Sequence, residues 1–298
     1  MFCRASVAAG ILLAMTLSVP AHAEQSPCPA HGTDEHRVAI NQYTLRTLRT
    51  DYQGCLEVRK DGRIVYRRDA DESYTIGNNI EGAPGIPVIK PGTDMTASGE
   101  PQVIVGSWSG GAHCCYKFEV LQLGKEFRVV AELDAQDSGG AHFEDIDHDG
   151  KYEFVANDWA FAYWRTSFAE SPAPKIILRP IAGTNDSDPY HLALDLMRKP
   201  APSQTEFESK IAKIKSDEEW NHHVPPALWG GMLELIYSGH ADLAWELFDR
   251  AWPSKKPGKY GFLGAFCERL SNSHYVYDLS GWLKGAPADC SVNSFGPS

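Results

Sequence analysis

One short stretch of the chain, DIDHDGKYE, carries four closely spaced carboxylates. They stand at its first, third, fifth and ninth positions and are Asp145, Asp147, Asp149 and Glu153. Alternating carboxylates in a tight turn point toward one centre, and Gly150 at position six permits the sharp bend. Carboxylates this close repel one another unless a cation neutralises them. The spacing therefore favours a hard cation such as calcium, to which the backbone carbonyl of Lys151 at position seven would add another oxygen.

The stretch does not complete an EF-hand. An EF-hand loop needs a bidentate glutamate at position twelve, and this chain has Ala156 there, inside an apolar strand pattern. Glu153 at position nine is therefore expected to close the ligand shell. The alternative is an ordinary aspartate-rich turn that binds no cation.

An internal repeat contains the acidic stretch. Residues 94–108 align without gaps on residues 145–159, and the first Asp, the Gly at position six and the final Trp coincide. Each copy is a polar loop that leads into an apolar strand. In the first copy Thr96, Ser98 and Gln102 replace three of the acids. We therefore expect the first loop to bind metal weakly or not at all.

The pattern D-x-D-x-D-G-x-x-E, followed at once by an apolar strand, resembles the calcium loops of FG-GAP and VCBS-type repeats. Such repeats occur in β-propellers and in other secreted bacterial proteins. The resemblance covers residues 94–108 and 145–159 and no more of the chain. It implies that the four acids of the second copy bind calcium structurally. A whole propeller would need many more copies, so a small sheet or a partial set of blades is expected.

The motif Ser-Gly-Gly-Ala-His occurs twice, at 109–113 and at 138–142. His113 and His142 could converge with Cys114 or Cys115 on a transition metal, because imidazole and thiolate are common ligands of such ions. The alternative is that the glycines shape loops and the histidines form local hydrogen bonds. In a hydrolase, Glu144, His142 or His113 would be the candidate acid or base. The sequence contains neither H-E-x-x-H nor G-x-S-x-G.

An aromatic group follows the second loop and consists of Trp159, Phe161, Tyr163 and Trp164. Its alternation predicts a strand over Phe161–Trp164, with Trp159, Phe161 and Tyr163 on one face. Such a face is either part of a core or a platform for a sugar or a peptide.

The N-terminus is typical of an exported protein. Arg4 precedes an apolar stretch from Ala8 to Val19, and Ala21-His22-Ala23 is a small-x-small cleavage site. We predict a signal peptide over residues 1–23, cleavage after Ala23, and a periplasmic or secreted mature chain. The apolar stretch is shorter than the about 20 residues of a membrane span, and no later segment comes close. Membrane insertion is therefore not expected.

Loss of the leader takes the formal net charge from −11 to −12, because Arg4 is its only charged residue. A surface of this sign repels phosphate, so we expect no nucleic-acid partner.

Six cysteines follow the leader: Cys28, Cys55, Cys114, Cys115, Cys267 and Cys290. An even number in an exported chain indicates disulfides. We expect Cys28 to pair with Cys55 and Cys267 with Cys290, since each pair closes a short local loop. If the two adjacent cysteines lie on a strand, they point to opposite faces and bond to different partners or remain thiols.

Strand patterns fill the chain up to the Pro-rich stretch at 199–202. An Asp-Gly turn between alternating apolar residues predicts a hairpin over Gly54–Arg68. Further strands are predicted at Gln102–Trp108, Tyr116–Leu123, Phe127–Leu133, Phe154–Asn157 and Lys175–Ile181.

From Thr205 the apolar period becomes helical. Two amphipathic segments, Ala227–Ser238 and Ala241–Trp252, predict a helical hairpin that is similar to the second half of a tetratricopeptide repeat. That similarity rests on Gly239, Ala244, Phe248 and Ala251. Arrays of such repeats need about three copies, so we favour a helical layer packed on the β region.

Together these observations predict an α+β protein with a calcium loop in a β-rich region at 24–204. A helical region at 205–298 follows, and a disulfide ties its C-terminal segment. The leading hypothesis for function is a non-catalytic, exported calcium-binding protein that binds a protein or glycan partner through loops of the β region. A hydrolase of unfamiliar type and an interaction scaffold built on the helical hairpin are the alternatives.

Overall fold

The structure is a computed structural model that describes residues 26–51, 53–112, 114–181, 189–283, 285–287 and 290. Its architecture is α+β, as the sequence predicts, and in the described residues twelve strands come first and the α-helices follow them. The predicted signal peptide and its cleavage site lie outside the described residues. In the described part of the chain, no helix is both long and apolar enough to cross a membrane.

The strands form three four-stranded antiparallel sheets, and each sheet takes its strands in chain order. The first sheet contains β1 (Thr33–Ile40), β2 (Tyr43–Arg49), β3 (Gly54–Lys60) and β4 (Arg63–Ala70). The second contains β5 (Ser73–Ile76), β6 (Gln102–Trp108), β7 (Tyr116–Leu123) and β8 (Phe127–Gln136). The third contains β9 (His142–Glu144), β10 (Glu153–Asn157), β11 (Lys175–Pro180) and β12 (Tyr190–Leu192).

The predicted hairpin of β3 and β4 is confirmed. Asp61 and Gly62 form its two-residue turn with φ of 49° and 80°. Positive φ at both central residues matches the twist of the flanking strands, which is why Asp-Gly is common there.

The second sheet is the middle layer of a stack. Along β6, Val103 and Val105 pack with Leu45 of the first sheet, whereas Ile104 belongs to the core shared with the third sheet. Successive side chains of a strand point to opposite faces, so this strand is buried on both sides. The continuous burial of residues 102–107 follows from that position.

The described part of the chain contains six α-helices: α1 (Leu194–Met197), α2 (Gln204–Lys215), α3 (Pro226–Ile236), α4 (Ala241–Ala251), α5 (Lys259–Ser271) and α6 (Val276–Leu279). Short 3-10 turns lie at Phe168–Glu170 and Glu218–Asn221. Ser203 begins α2 with a capping box, in which its hydroxyl accepts from the Glu206 N–H and the Glu206 carboxylate accepts from the Ser203 N–H. Gly239, with φ of 86°, allows the sharp turn between α3 and α4.

The helices pack against the third sheet and share one core with it. Phe154 of β10 contacts Phe118 of the second sheet, with ring centroids 5.2 Å apart. On β11, Ile177 lines a cavity with Leu196 and Leu233 from the helices. The same buried cluster extends from Ile89 to Cys290. The helical hairpin is therefore a layer on the β region.

The structure forms the two disulfides that we expect, Cys28–Cys55 and Cys267–Cys290. Cys114 and Cys115 lie in the loop before β7 and not on a strand, so the expectation that they face opposite sides of a strand does not apply. Both are unpaired and half-buried.

The predicted strand at Phe161–Trp164 is wrong. These residues form a turn, with positive φ at Tyr163 (57°) and Arg165 (59°). Phe161 and Trp164 both enter the core and contact each other at 5.3 Å, whereas Tyr163 is 61% exposed. The turn buries Phe161 and Trp164, which are three residues apart. In a strand these two side chains would point to opposite faces.

Candidate metal centre

The acidic loop at 145–153 is the connection of a β-hairpin. It leaves β9 after Glu144 and enters β10 at Glu153, and these two residues are paired across the antiparallel ladder. His148 and Gly150 adopt positive φ of 60° and 83°. The Gly150 N–H donates to Asp145 Oδ2 at 3.3 Å, which closes the turn. The bend predicted for Gly150 is therefore present.

The loop brings its acids together. One carboxylate oxygen from each of Asp145, Asp147 and Asp149 lies within 4.8 Å of the other two. Glu153 is fully buried beside them, and its Oε2 accepts a hydrogen bond from the Ile146 N–H at 3.0 Å. Burial raises the pKa of Glu153 because it disfavours the charged form, and the charge of Asp147 acts in the same direction.

Asp145 Oδ1 is buried, and among the described residues it has no hydrogen-bond partner. A buried carboxylate oxygen without a donor is costly, since it has lost water and gained nothing. A cation between the carboxylates would satisfy this atom. The donor set, which consists of oxygens only, fits calcium and does not fit a metal that prefers nitrogen or sulfur.

Two basic side chains reach the acidic loop. Arg179 on β11 places its Nη2 2.9 Å from Asp147 Oδ2 and its Nε 3.4 Å from Glu153 Oε1, while Asp195 also binds it at 3.2 Å. Lys151 Nζ lies 3.1 Å from Asp149 Oδ2, and the Lys151 N–H donates to Asp149 Oδ1 at 2.8 Å. Two positive charges against five carboxylates leave the centre negative. That the Lys151 carbonyl binds the cation remains a prediction.

The first loop has the same backbone turn. Ala97 and Gly99 have positive φ of 53° and 78° at the positions of His148 and Gly150. The Gly99 N–H donates to Asp94 Oδ2 at 2.6 Å, as the Gly150 N–H does to Asp145. The repeat found in the sequence is therefore a repeat of loop geometry.

Gln102 takes the place of Glu153 and completes the first loop without a charge. Its Oε1 accepts from the Met95 N–H at 3.0 Å, which is the counterpart of the Ile146 contact. Its Nε2 donates to Thr96 Oγ1 at 2.6 Å and to Ser98 Oγ at 3.2 Å. The amide thus supplies a positive end to the side chains at positions three and five. In this loop hydrogen bonds satisfy the groups that a cation would otherwise bind.

The two loops lie side by side. The Tyr152 N–H of the second loop donates to the Met95 carbonyl of the first at 2.9 Å. The equivalent of Tyr152 in the first loop is Pro101, which has no N–H. The second loop therefore donates this hydrogen bond to the first, and no equivalent bond returns from Pro101.

The other candidate residues do not assemble around the loop. His142 Nδ1 lies 2.8 Å from the Gly140 carbonyl, and its Nε2 lies 3.6 Å from Glu144 Oε2. These contacts are local, and Glu144 is exposed. His113 lies outside the described residues. Four cavities of about 400 to 580 Å³ in the described part of the chain have neither His142 nor Glu144 in their walls.

An aromatic cluster lies at the surface beyond β10. Trp159 and Phe168 are stacked with centroids 4.8 Å apart and an interplanar angle of 9°, and Tyr163 lies 5.5 Å from Phe168. The Trp159 indole N–H donates to Ser138 Oγ at 3.0 Å, which fixes its ring. We call these three residues the aromatic cluster. The sequence pattern does not indicate Phe168, because this ring reaches Trp159 and Tyr163 only when residues 161–164 form a turn and not the predicted strand.

A buried polar network was also missed. Asp158, which follows β10, accepts hydrogen bonds from the Ala160 N–H at 2.9 Å, from Ser273 Oγ at 2.5 Å and from the Tyr237 hydroxyl. The side chains of Asp158, Ser273 and Tyr237 are all buried. Asp158 therefore joins the end of β10 to the ends of α3 and α5. Nothing in the local sequence distinguishes it from a surface aspartate.

Comparison with known proteins gives two similar chains. The chain is 25% identical over 205 residues to the uncharacterized protein y4bJ of Sinorhizobium fredii, covering 66% of this chain and 31% of that protein. It is 35% identical over 86 residues to the probable thylakoid lumen protein sll0997 of Synechocystis, covering 28% of this chain and 25% of that protein. The chain thus spans about a third or less of the length of these relatives.

No family model and no solved structure matches the chain. The lumenal relative and the two disulfides are compatible with an extracytoplasmic protein.

Proposed function

We propose that this is an exported, non-catalytic protein that binds one calcium ion in the second loop and meets a protein or glycan partner through its β region. The observation that carries the proposal is the buried, partnerless Asp145 Oδ1 among clustered carboxylates. The contrast with the first loop, which Gln102 satisfies internally, supports it.

Calcium is favoured over magnesium by the number and type of oxygens. Four carboxylates and one backbone carbonyl supply enough oxygens for the about six to eight ligands that calcium takes, some of them bidentate. Magnesium usually retains several waters and binds through one or two carboxylates. A site with four acids on one short loop matches the larger ion.

Export to the periplasm or beyond the cell is part of the proposal. The leader-like residues 1–23 and the two disulfides support it. In such compartments a calcium ion that is bound structurally stabilises the fold by binding only the native state.

The aromatic cluster supports the partner-binding part of the proposal. Tyr163 is 61% exposed and stands beside the stacked pair of Trp159 and Phe168. Exposed aromatic rings with polar edges are typical of surfaces that bind sugars and peptides. His142 and Glu144 lie close to each other but line none of the four cavities described above, which gives no support to an acid–base centre.

The helical hairpin offers less to a partner. The apolar side chains between α3 and α4 are buried, among them Trp229, Met232 and Leu247. Neither helix, both of which are fully described, has a large exposed apolar residue. An interaction scaffold built on this hairpin would need such residues.

Thermal unfolding with and without a chelator tests the calcium site. At a calcium concentration about 100 times the Kd, binding stabilises the native state by about 2.7 kcal/mol. For a chain of this size that corresponds to a Tm increase of about 5–10 °C. The expected result is a Tm that falls with chelator and recovers with calcium, in the mature wild type.

Asp147→Ala should abolish the response to both chelator and calcium. The matched control is Thr96→Ala, which changes the same position of the first loop and should leave the response intact. A wild-type Tm that the chelator does not change would refute the calcium site.

Affinity capture from the native periplasm tests the partner. Tyr163→Ala should reduce recovery of the partner, and Tyr260→Ala is the control because Tyr260 is 79% exposed on α5, outside the aromatic cluster. Equal recovery with both variants would contradict a role for the aromatic cluster.

A further inference from the structure

The loop between β6 and β7 holds two cysteines that the long-range disulfides do not use. Those disulfides take four of the six cysteines that follow the predicted leader. Cys114 and Cys115 are unpaired and half-buried, and the described residues contain no third free cysteine. In an oxidising compartment, two adjacent thiols can be oxidised, either as chemical damage or as part of a function.

Ser109 fixes the backbone of both cysteines. Its hydroxyl donates to the Cys114 carbonyl and accepts from the Cys115 N–H, each at 2.7 Å. The Ser109 N–H donates to the Cys115 carbonyl at 3.2 Å. The loop therefore fixes the backbone of the two adjacent cysteines, and both side chains are half-buried.

We propose that Cys114 and Cys115 are a redox-active pair that forms a disulfide between adjacent residues by thiol–disulfide exchange. Their Cα atoms are at most about 3.8 Å apart because one peptide bond joins them. Ordinary disulfides have Cα atoms about 4.4–6.8 Å apart, and the long-range pairs here, at 6.0 and 5.0 Å, lie in that range. A disulfide outside the favoured geometry is more easily reduced. The adjacent pair therefore opens first while the other two stay closed.

The surroundings of Cys115 disfavour its thiolate. The hydrogen bond with Cys114, burial, and the charges of Asp134 and Asp137 raise the pKa of Cys115 to about 11. Since the thiolate is the nucleophile, Cys115 must lose its proton before it can attack a disulfide.

The exchange needs a disulfide as oxidant, for which oxidised glutathione is a suitable probe. The Cys114 thiolate attacks one of its sulfurs, forms a mixed disulfide and releases one glutathione thiolate. Cys115 then gives its proton to solvent and attacks the Cys114 sulfur, which closes the ring and releases the second thiolate. The two protein thiols are oxidised, and the glutathione disulfide is reduced to two thiols.

The test uses the mature chain in buffers of graded glutathione ratio, followed by acid quenching, alkylation and peptide mass spectrometry. In the oxidised buffers the peptide that contains both cysteines should resist alkylation and be lighter by two hydrogen atoms. As the ratio becomes more reducing, this peptide should become alkylated before those of the long-range disulfides. The inference is overturned if both thiols remain alkylatable in oxidised glutathione, or if all three disulfides open together.

Single variants test whether both thiols are needed to close the ring. Cys115→Ser should stop at the mixed disulfide on Cys114, and Cys114→Ser at the mixed disulfide on Cys115, because each variant lacks the second thiol. A single variant whose remaining cysteine resists alkylation without carrying glutathione would refute ring closure between these two residues. The wild-type measurement decides the main proposal if either variant fails to fold.

Discussion

Conversion of the first loop into a copy of the second is the most demanding test of the metal centre. The triple change Thr96→Asp, Ser98→Asp and Gln102→Glu creates D-x-D-x-D-G-x-x-E on a backbone that already has the required turn. Ala97 and Gly99 have the same positive φ as their counterparts in the acidic loop. We expect the wild type to bind one calcium ion and the triple variant to bind two.

The cost of this change without calcium follows from the contacts of Gln102. This side chain is 1% exposed, donates two hydrogen bonds at 2.6 and 3.2 Å and accepts one at 3.0 Å. Glutamate keeps the acceptor and loses both donors, and each lost hydrogen bond costs about 0.5–1.5 kcal/mol. A total of about 2 kcal/mol lowers Tm by about 4–8 °C. Repulsion among the new carboxylates adds to this loss.

Native mass spectrometry or calorimetry gives the stoichiometry, and melting curves with chelator and with calcium give the stability. The matched control is Gln102→Glu alone, which introduces the buried charge without the two aspartates and should be destabilised and poorly rescued by calcium. A folded triple variant that binds one ion would refute the reasoning that positions three, five and nine decide binding. A wild type that binds two ions would refute the role of Gln102.

Three further predictions concern stability. Replacing Cys28 and Cys55 by serine removes a cross-link with a sequence separation of 27 residues, which should cost about 3.5 kcal/mol in denaturant unfolding on chain-entropy grounds; an unchanged midpoint would contradict this. Asp158→Asn should cost about 1–3 kcal/mol, because the amide keeps only one acceptor oxygen, so that either the Ala160 N–H or the two buried hydroxyls lose their acceptor; Ser273→Ala, which removes only one donor, should cost less. Burial raises the pKa of Glu119 on β7, so its contribution to stability is greatest below its unfolded pKa of about 4.3 and is lost as pH rises through the folded value. Between pH 4 and pH 7, Glu119→Gln should therefore lose less stability than the wild type in urea titrations, and parallel pH profiles would exclude this effect.

The sequence predicts those parts of the fold in which local patterns and burial agree. The strands Gln102–Trp108 and Tyr116–Leu123 have the predicted bounds, because both are buried or paired along their whole length and end at loop residues. The Asp-Gly turn after β3 is likewise local. The stacking of three sheets is not local, since it depends on which face of each strand meets which neighbour, and no periodicity in one strand contains that information.

In the candidate metal centre, too, the sequence predicts the local contacts and not the contacts between distant segments. The clustering of Asp145, Asp147 and Asp149 was predictable from spacing, because a tight turn places alternate residues together. The arrival of Arg179 was not predictable, since it comes from a strand that pairs with β10 only in the folded sheet. The internal hydrogen bonds of Gln102 were equally hidden. The sequence shows the loss of acids in the first loop, and only the structure shows what replaces them.

The division of the hydrophobic core has a consequence for biogenesis. The core between the first and second sheets consists of residues from Ile40 to Val129, whereas the larger core needs residues up to Cys290. As the chain emerges during synthesis, the N-terminal sheets can therefore bury their shared interface before the rest of the chain is available. The third sheet, with its acidic hairpin, must wait for the helices. We expect chaperones and proteases to act mainly while this later half is unfolded, and calcium at the proposed site to affect the yield of native protein only from that stage on.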